Sequence, residues 1–309
     1  VFGSELPPLL EHPGVQRQPD WVTASAYLTT IRPTLGPRTM YEGIRTVEPG
    51  TLVEVDTGSM EPELSVHRWH RPSAAGEAEM ADPREVARVV SEAVSAHGLG
   101  DVPIATLLSG GLDSAIITAC VAERLSARDR RTYCVGAPED PASAEDLACA
   151  RTVARRHDTE HTERTVDRAA FTERWPWMVR QYAAPLSTPN EIAIHTVAAA
   201  VAEHTRVALS GEGADELFYG YGPIVRAIDL FDRSLHGRPA DVRTSAAFYL
   251  RLTAWVHPVR KSTILQPTYH ELALHDSGLE AWVTETFGEI AAEEPALIAQ
   301  HAAMHRRVN

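Results

Sequence analysis

Two rhythms of apolar and polar positions divide the chain. From residue 82 to about residue 209, short apolar runs alternate with longer stretches of helical period. Val102–Leu108 is an apolar run suited to a strand buried on both faces. Thr132–Val135, His161–Val166 and Val207–Leu209 read as further strands. Between them the spacing predicts helices over Val86–His97, Ser114–Leu125, Glu145–His157, Arg168–Tyr182 and Glu191–Glu203. Asp82-Pro83-Arg84-Glu85 supplies an N-cap, a first-turn proline and a capping-box glutamate ahead of the first helix. Strand and helix in alternation imply a mostly parallel sheet covered on both faces.

The flanks follow another pattern. Val1–Glu5 reads as the tail of a strand, so the chain is expected to begin inside a fold. A short helix over Leu6–Glu11 stops at Pro13-Gly14, and a second helix spans Trp21–Thr30. Thr51–Val55 alternates like a half-buried strand, and the polar, Gly/Ala-rich stretch Arg71–Met80 reads as a linker. From Tyr221 onward only helices are expected, interrupted at Gly237 and Pro239, with Ala281–Arg307 mostly helical. No internal repeat is present.

Composition narrows the functional classes. The 309 residues are 44% hydrophobic and 23% charged, the balance of a soluble globular protein. No apolar run approaches the roughly 18 residues of a membrane span. Val1–Leu10 has no basic start or signal-like stretch, so a cytoplasmic location is the expectation. A formal net charge of −13 argues against nucleic acid or an anionic membrane as partner. Local backbone amides, a few arginines and Mg²⁺ can still bind phosphate. Cys120, Cys134 and Cys149 lack metal-ligand spacing and read as reduced, small apolar residues.

Candidate chemistry gathers at two places. Leu107-Leu108-Ser109-Gly110-Gly111-Leu112-Asp113-Ser114 stands where an apolar strand gives way to a helix, the junction at which parallel α/β sheets bind ligands. Paired glycines let backbone N–H groups approach phosphate oxygens, and the helix start faces them. Ser109 and Ser114 add hydroxyls; Asp113 beside a phosphate makes sense with a divalent cation between them. There is no Gly-Lys-Ser/Thr, so this is not a Walker loop. The pattern resembles the pyrophosphate-binding loop of ATP pyrophosphatases. About a hundred residues later, Leu209-Ser210-Gly211-Glu212-Gly213-Ala214-Asp215-Glu216-Leu217-Phe218 repeats the arrangement, with carboxylates at 212, 215 and 216 near a helix start.

These two segments together, with Ala184-Pro185-Leu186-Ser187-Thr188-Pro189-Asn190-Glu191 between them, resemble the signature loops of the asparagine synthetase family, glutamine-hydrolysing type. Phe2-Gly3-Ser4-Glu5, Leu9–Val15, Gly43-Ile44-Arg45, Pro49-Gly50 and Arg68-Trp69 are similar to the end of that family's glutaminase domain and the segment leading into its synthetase. The likeness is good to about residue 220 and loose beyond. The family's N-terminal catalytic cysteine is not in this sequence, nor is its later segment bearing arginine and lysine.

The resemblance implies an α/β, parallel-sheet ATP-pyrophosphatase (PP-loop, adenine nucleotide α-hydrolase-like) domain at 76–309 with a helical C-terminal extension. It implies a remnant of an N-terminal nucleophile glutaminase domain, with linker, at 1–75. Carried over by position, Leu107 and Val135 would contact adenosine. Ser109, Gly111 and Ser114 would hold phosphate, Gly211 would approach the nucleotide with its backbone, and Gly110 and Ser210 would belong to the same ATP-binding site. Asp113 and Asp215 would bind Mg²⁺. Glu212 would stand at an acyl-adenylate as base or orienting group, where the related β-lactam synthetases resemble a tyrosine instead. The implied activity is adenylation of a carboxylate, aspartate first, and capture by ammonia drawn from glutamine, with AMP and pyrophosphate released and a homodimer compatible. A lasso-peptide-cyclase-like or β-lactam-synthetase-like tailoring enzyme is the alternative within the family, and a non-catalytic scaffold the alternative outside it.

Other residues have plainer readings. His301 and His305 stand at i,i+4, a spacing that suits zinc, but no third ligand is evident and a solvated helix face is expected. Glu145 and Asp146 open a helix and read equally as nucleotide neighbours or first-turn acids. Lys261, the single lysine, is a candidate phosphate clamp in the loosely matched region.

Overall fold

In a computed structural model the apolar runs become a four-stranded, wholly parallel sheet. β3 (Ile104–Leu107) is flanked by β4 (Arg131–Gly136) and by the short edge strand β6 (Val207–Leu209); β5 (Glu160–Thr165) lies outside β4. The register pairs Ile104 with Val207, Leu107 with Tyr133, and Thr132 with His161. Alternation sends Ala105 and Tyr133 to one face, where Val197, Ala200 and Val201 of α7 (Asn190–Ala202) cover them. Cys134 turns to the other face and packs with Leu108 under Leu147, Ala150 and Ala154 of α5 (Pro141–Arg156). On α4 (Leu112–Ala122), Thr118 is buried and donates to Thr106 of β3 at 3.4 Å. Burying a large apolar side chain in such a layer contributes about 1.5–3 kcal/mol.

The structure describes all residues except 59–61, 71–81, 99–101, 127–128, 138, 258–259, 267–268, 270–275, 295 and 309. The expected linker at 71–80 lies outside the described residues. The chain divides into two units: Val1–Gly76 with Gln181–Ser187 and Tyr219–Asn309, and Glu77–Arg180 with Thr188–Phe218. The second unit holds the parallel sheet. Its α3 (Pro83–His97) starts on Asp82, whose carboxylate accepts from Arg84 N at 2.9 Å. Glu85 turns forward to Arg88 instead of back to the cap. α6 (Arg168–Tyr182) runs as the spacing predicts, carrying Pro176 within it.

The first unit is built on helices: α1 (Leu6–Leu10), α2 (Trp21–Thr30), α9 (Gly222–Ser234), α10 (Val242–Thr253), α11 (Lys261–Ile264), α12 (Asp276–Glu293) and α13 (Leu297–Val308). Ala26, Leu35, Tyr249, Leu279, Val283, Phe287 and Met304 form its core. Segment 181–187 is tied to it by Tyr27 Oη donating to Leu186 O and Tyr41 Oη to Ala183 O, both at 2.7 Å. Val1–Glu5 forms no strand. Thr51–Val55 falls within β1 (Thr51–Asp56), but its partner is β2 (Glu63–Arg68), which the sequence pattern did not disclose. The pair is a two-stranded antiparallel ribbon with Leu52, Val55, Leu64 and Val66 exposed, not a half-buried strand. Among the described residues no helix is long and apolar enough to cross a membrane.

The two histidines of α13 overturn the expectation of a solvated face. His301 is fully buried and His305 nearly so, because the i,i+4 stripe that carries them also carries buried Met304 and faces the core. His301 lies between the rings of Phe248 and Phe287, at 5.5 and 5.0 Å, with neither ring nitrogen hydrogen-bonded. Tyr249 Oη meets His305 Nδ1 at 3.3 Å. No group of three or more metal-ligating side chains occurs among the described residues. Lys261 is likewise buried: its Nζ donates to Ser25 O at 2.8 Å and to Ser25 Oγ at 2.9 Å, so its ammonium is engaged on α2 instead of standing open as a phosphate clamp.

Burial lowers the pKa of His301 from its ordinary 6.5 to about 4. Between those values the unfolded chain binds the proton that the folded chain refuses. Stability is therefore full above pH 6.5 and falls as pH drops toward 4. The loss attributable to this group is about 3 kcal/mol, at roughly 1.4 kcal/mol per pH unit. Denaturant titrations at several pH values should show a distinctly shallower acid limb in His301→Phe, and an unchanged slope would remove the imidazole from the account.

Candidate functional site

Parallel pairing of β3 with β6 sends both chains out of the sheet at the same edge. The glycine-bearing segments, about a hundred residues apart in sequence, thereby become neighbours. Gly211 touches the start of α4: a Cβ built on it would stand 2.7 Å from Ser114 N and 2.9 Å from Asp113 Cβ. Only hydrogen fits there, so the residue type and the closeness of the two loops are one fact.

The first loop is braced from within. Gly110 has φ +93°, a conformation L-residues avoid, and a Cβ there would collide with the backbone O of Asp146. Ser114 is buried, and its hydroxyl accepts from Ser109 N at 3.1 Å, lies 3.0 Å from Ser109 Oγ and donates to Gly111 O at 3.0 Å. Of the two serines expected to hold phosphate, Ser109 is thus exposed and Ser114 is engaged inside the loop. Gly111 caps α4 without a side chain, which leaves first-turn amides for a ligand.

The acids stand outward. Asp113, Glu212 and Asp215 are exposed and, among the described residues, have no side-chain partner. Glu212 lies in the turn after β6, its N–H donating to Ser210 Oγ at 3.4 Å, and Asp215 lies in the first turn of α8 (Ala214–Phe218). Leu107 and Val135 pack on the Ala105–Tyr133–Val201 cluster of the sheet. The structure therefore brings residues 107–114, Val135 and 210–215 to one edge of one unit, and Lys261, His301 and His305 belong to the other unit.

A family model described as asparagine synthase matches residues 85–307. The chain belongs to the asparagine synthase family. Asparagine synthetase [glutamine-hydrolyzing] 1 of Bacillus subtilis is 30% identical over 186 residues, covering 60% of this chain and 28% of that protein. Asparagine synthetase B [glutamine-hydrolyzing] of Escherichia coli is 32% identical over 160 residues, 46% of this chain and 28% of that protein. The chain thus spans less than a third of the length of these two relatives. A solved ammonia-dependent NAD synthetase from Campylobacter jejuni aligns with a TM-score of 0.33 and 11% identity, covering 66% of this chain and 96% of that one, too slight a likeness to carry an argument.

The three cysteines are free and lie outside the two glycine loops. Burial, helped by Glu163, pushes the Cys134 thiol up to about 11, and burial raises Cys120 as well, so neither is an activated nucleophile. Cys149 is exposed on α5, against the apolar reading given to all three. Sequence reasoning missed Gly136 and Ser143. Ser143 Oγ accepts from Ala137 N at 2.8 Å, and the Asp140-Pro141 cap ahead of it was the available signal.

The two glycines of the first loop should respond differently to a methyl group. Gly110→Ala forces a strained φ and a clash with backbone, and should cost about 2–3 kcal/mol. Gly111→Ala has an ordinary φ of −75° and only Ser109 Oγ, at 3.4 Å, nearby, so its cost should stay below about 1 kcal/mol. Urea denaturation of both variants checks the order, and equal losses would contradict it.

Proposed function

We propose that this chain binds ATP at the two glycine loops and uses it to activate a carboxylate for amide formation. The observation that carries the reading is the contact of Gly211 with Asp113 and Ser114, which joins two loops of the family's pattern into one cradle. A carboxylate oxygen of the acid, aspartate in the leading case, attacks the α-phosphorus, and the bond to pyrophosphate breaks. Ammonia then attacks the acyl carbon, and AMP leaves. Membership of the asparagine synthase family supports this reaction class. The family's domain plan supports reading 76–309 as the synthetase part and 1–75 as the end of a glutaminase-type domain. Such a domain in the whole protein would draw ammonia from glutamine.

Each residue has a stated share. The Gly110 amide, the first-turn amides of α4 and the exposed Ser109 hydroxyl bind the pyrophosphate end. Leu107 and Val135 offer apolar contact to the adenosine, and Ser210 and Gly211 close the cradle from β6. Glu212 accepts a proton from the incoming ammonium or amine. Asp113 and Asp215 fit Mg²⁺, because both are exposed, oxygen-only donors with no ion-pair partner among the described residues. Mg²⁺ bound there would neutralise charge on the departing pyrophosphate.

The decisive measurement is nucleotide analysis after the protein is incubated with ATP, Mg²⁺, ammonium and aspartate or other acids. AMP and pyrophosphate are expected, and ADP with phosphate would sink the reading. Asp113→Asn and Asp215→Asn should each reduce pyrophosphate release by at least 100-fold with the circular dichroism spectrum unchanged. Glu212→Gln should keep ATP affinity within about threefold but slow amide formation by 10²–10⁴-fold, the usual share of a general base. Single-turnover assays separate the two effects; unchanged amide formation in Glu212→Gln would leave that residue no part in the proton transfer.

A further inference from the structure

The end of β4 is held by a device that the glycine loops do not share. Gly136 closes the strand, and a Cβ on it would stand 2.8 Å from both Ser143 Oγ and Leu147 Cδ1. The room left by that missing Cβ is filled by the Ser143 hydroxyl, which accepts from Ala137 N at 2.8 Å. Ser143 is itself fixed: its N–H donates to the Asp140 carboxylate at 3.2 Å, and Asp140 N donates back to Ala137 O at 2.9 Å. On the far side, Val166 N donates to Gly136 O at 3.0 Å. Backbone on both sides of Gly136 is therefore pinned, and Val135 is the residue just before it.

The same helix face reaches the neighbouring strand. Positions 143, 146 and 147 lie on one side of α5 at i, i+3 and i+4. Leu147 packs with Leu108 at the end of β3, and the Asp146 carbonyl lies against Gly110. One turn of α5 thus sets the exits of two adjacent strands, through a side-chain hydrogen bond at β4 and a backbone contact at β3. Ligands of parallel α/β sheets bind beyond these carboxyl ends.

We propose that Ser143 is a positioning residue for the adenosine end of the nucleotide: its hydroxyl, seated in the space left by Gly136, fixes the Val135–Ala137 backbone against which the base and ribose pack. The inference rests on the ATP-binding reading given above. Ser143 acts through the backbone and does not itself touch the nucleotide. Without the hydroxyl the Ala137 N–H loses its partner and the β4 exit acquires alternative conformations, at a cost to binding of the base alone. The pyrophosphate end, held by the Ser109–Ser114 loop, keeps its own brace.

Equilibrium binding of Mg·ATP and of inorganic pyrophosphate to the protein tests this. Ser143→Ala should weaken Mg·ATP about tenfold and leave pyrophosphate within twofold. Ser143→Thr, which keeps the hydroxyl, should recover most of the ATP affinity. Gly136→Ala displaces the same hydroxyl and should give the same selective loss, and the double variant should be no weaker than the worse single one, since both break one hydrogen bond. Equal weakening of both probes in Ser143→Ala and Gly136→Ala would mark a general destabilisation and overturn the proposal. So would unchanged ATP affinity in both variants. Pyrophosphate and ATP both failing to bind the unaltered protein would instead bring down the ATP-binding reading, and this inference with it.

Discussion

Everything at the candidate site depends on the parallel pairing of β3 with β6. It spans only three residue pairs, yet it joins segments about a hundred residues apart and points both out of the same edge. Antiparallel pairing would have placed the second loop at the opposite end of the sheet. The contact of Gly211 with Ser114 N follows, and it tolerates no side chain. The exposed carboxylates at 113, 212 and 215 are then concentrated where the loops leave the sheet. No long-range attraction between the loops is required, because strand register does the assembling.

Backbone proximity recurs as the means by which this unit is organised. Gly110 lies against Asp146 O, Gly136 against Ser143 and Leu147, and Gly211 against Asp113 and Ser114. At each place a helix, or a helix start, comes closer to a strand end than any Cβ allows. The serines then supply the hydrogen bonds that glycines cannot, with Ser114 inside the first loop and Ser143 at the β4 exit. Rigidity at the edge of the sheet thus comes from pairs of small residues, each incomplete alone. Such a frame holds polar backbone in one arrangement without filling the space a ligand requires.

What the sequence discloses and what it hides divide along physical lines. Val207–Leu209, Trp21–Thr30 and Arg168–Tyr182 match the expected spans, since their apolar periodicity and boundary residues act locally. The Asp-Pro signal at 82–83 located one helix start, and the same signal at 140–141 went unused, so α5 begins four residues before its expected start at Glu145. β2 was hidden because Glu63–Arg68 is mostly polar and acquires strand form from its partner β1. His301 was misplaced because an imidazole counts as polar in a pattern but is at home, when neutral, among aromatic edges. The site loops were legible as motifs. Their contact was not, since it is a property of sheet order.

One consequence of the buried lysine concerns the chemistry of the protein's exterior. Lys261 is the single lysine of the sequence, and its ammonium is enclosed against Ser25. The folded chain therefore offers solvent no ε-amine at all. Every surface cation is a guanidinium or an imidazole, apart from an α-amine. Acylating reagents, amine-directed cross-linkers and dyes would meet an almost unreactive surface while the fold is intact. The same amine would come within their reach once α11 separates from α2, which makes Lys261 a covalent reporter of the opening of that helical unit.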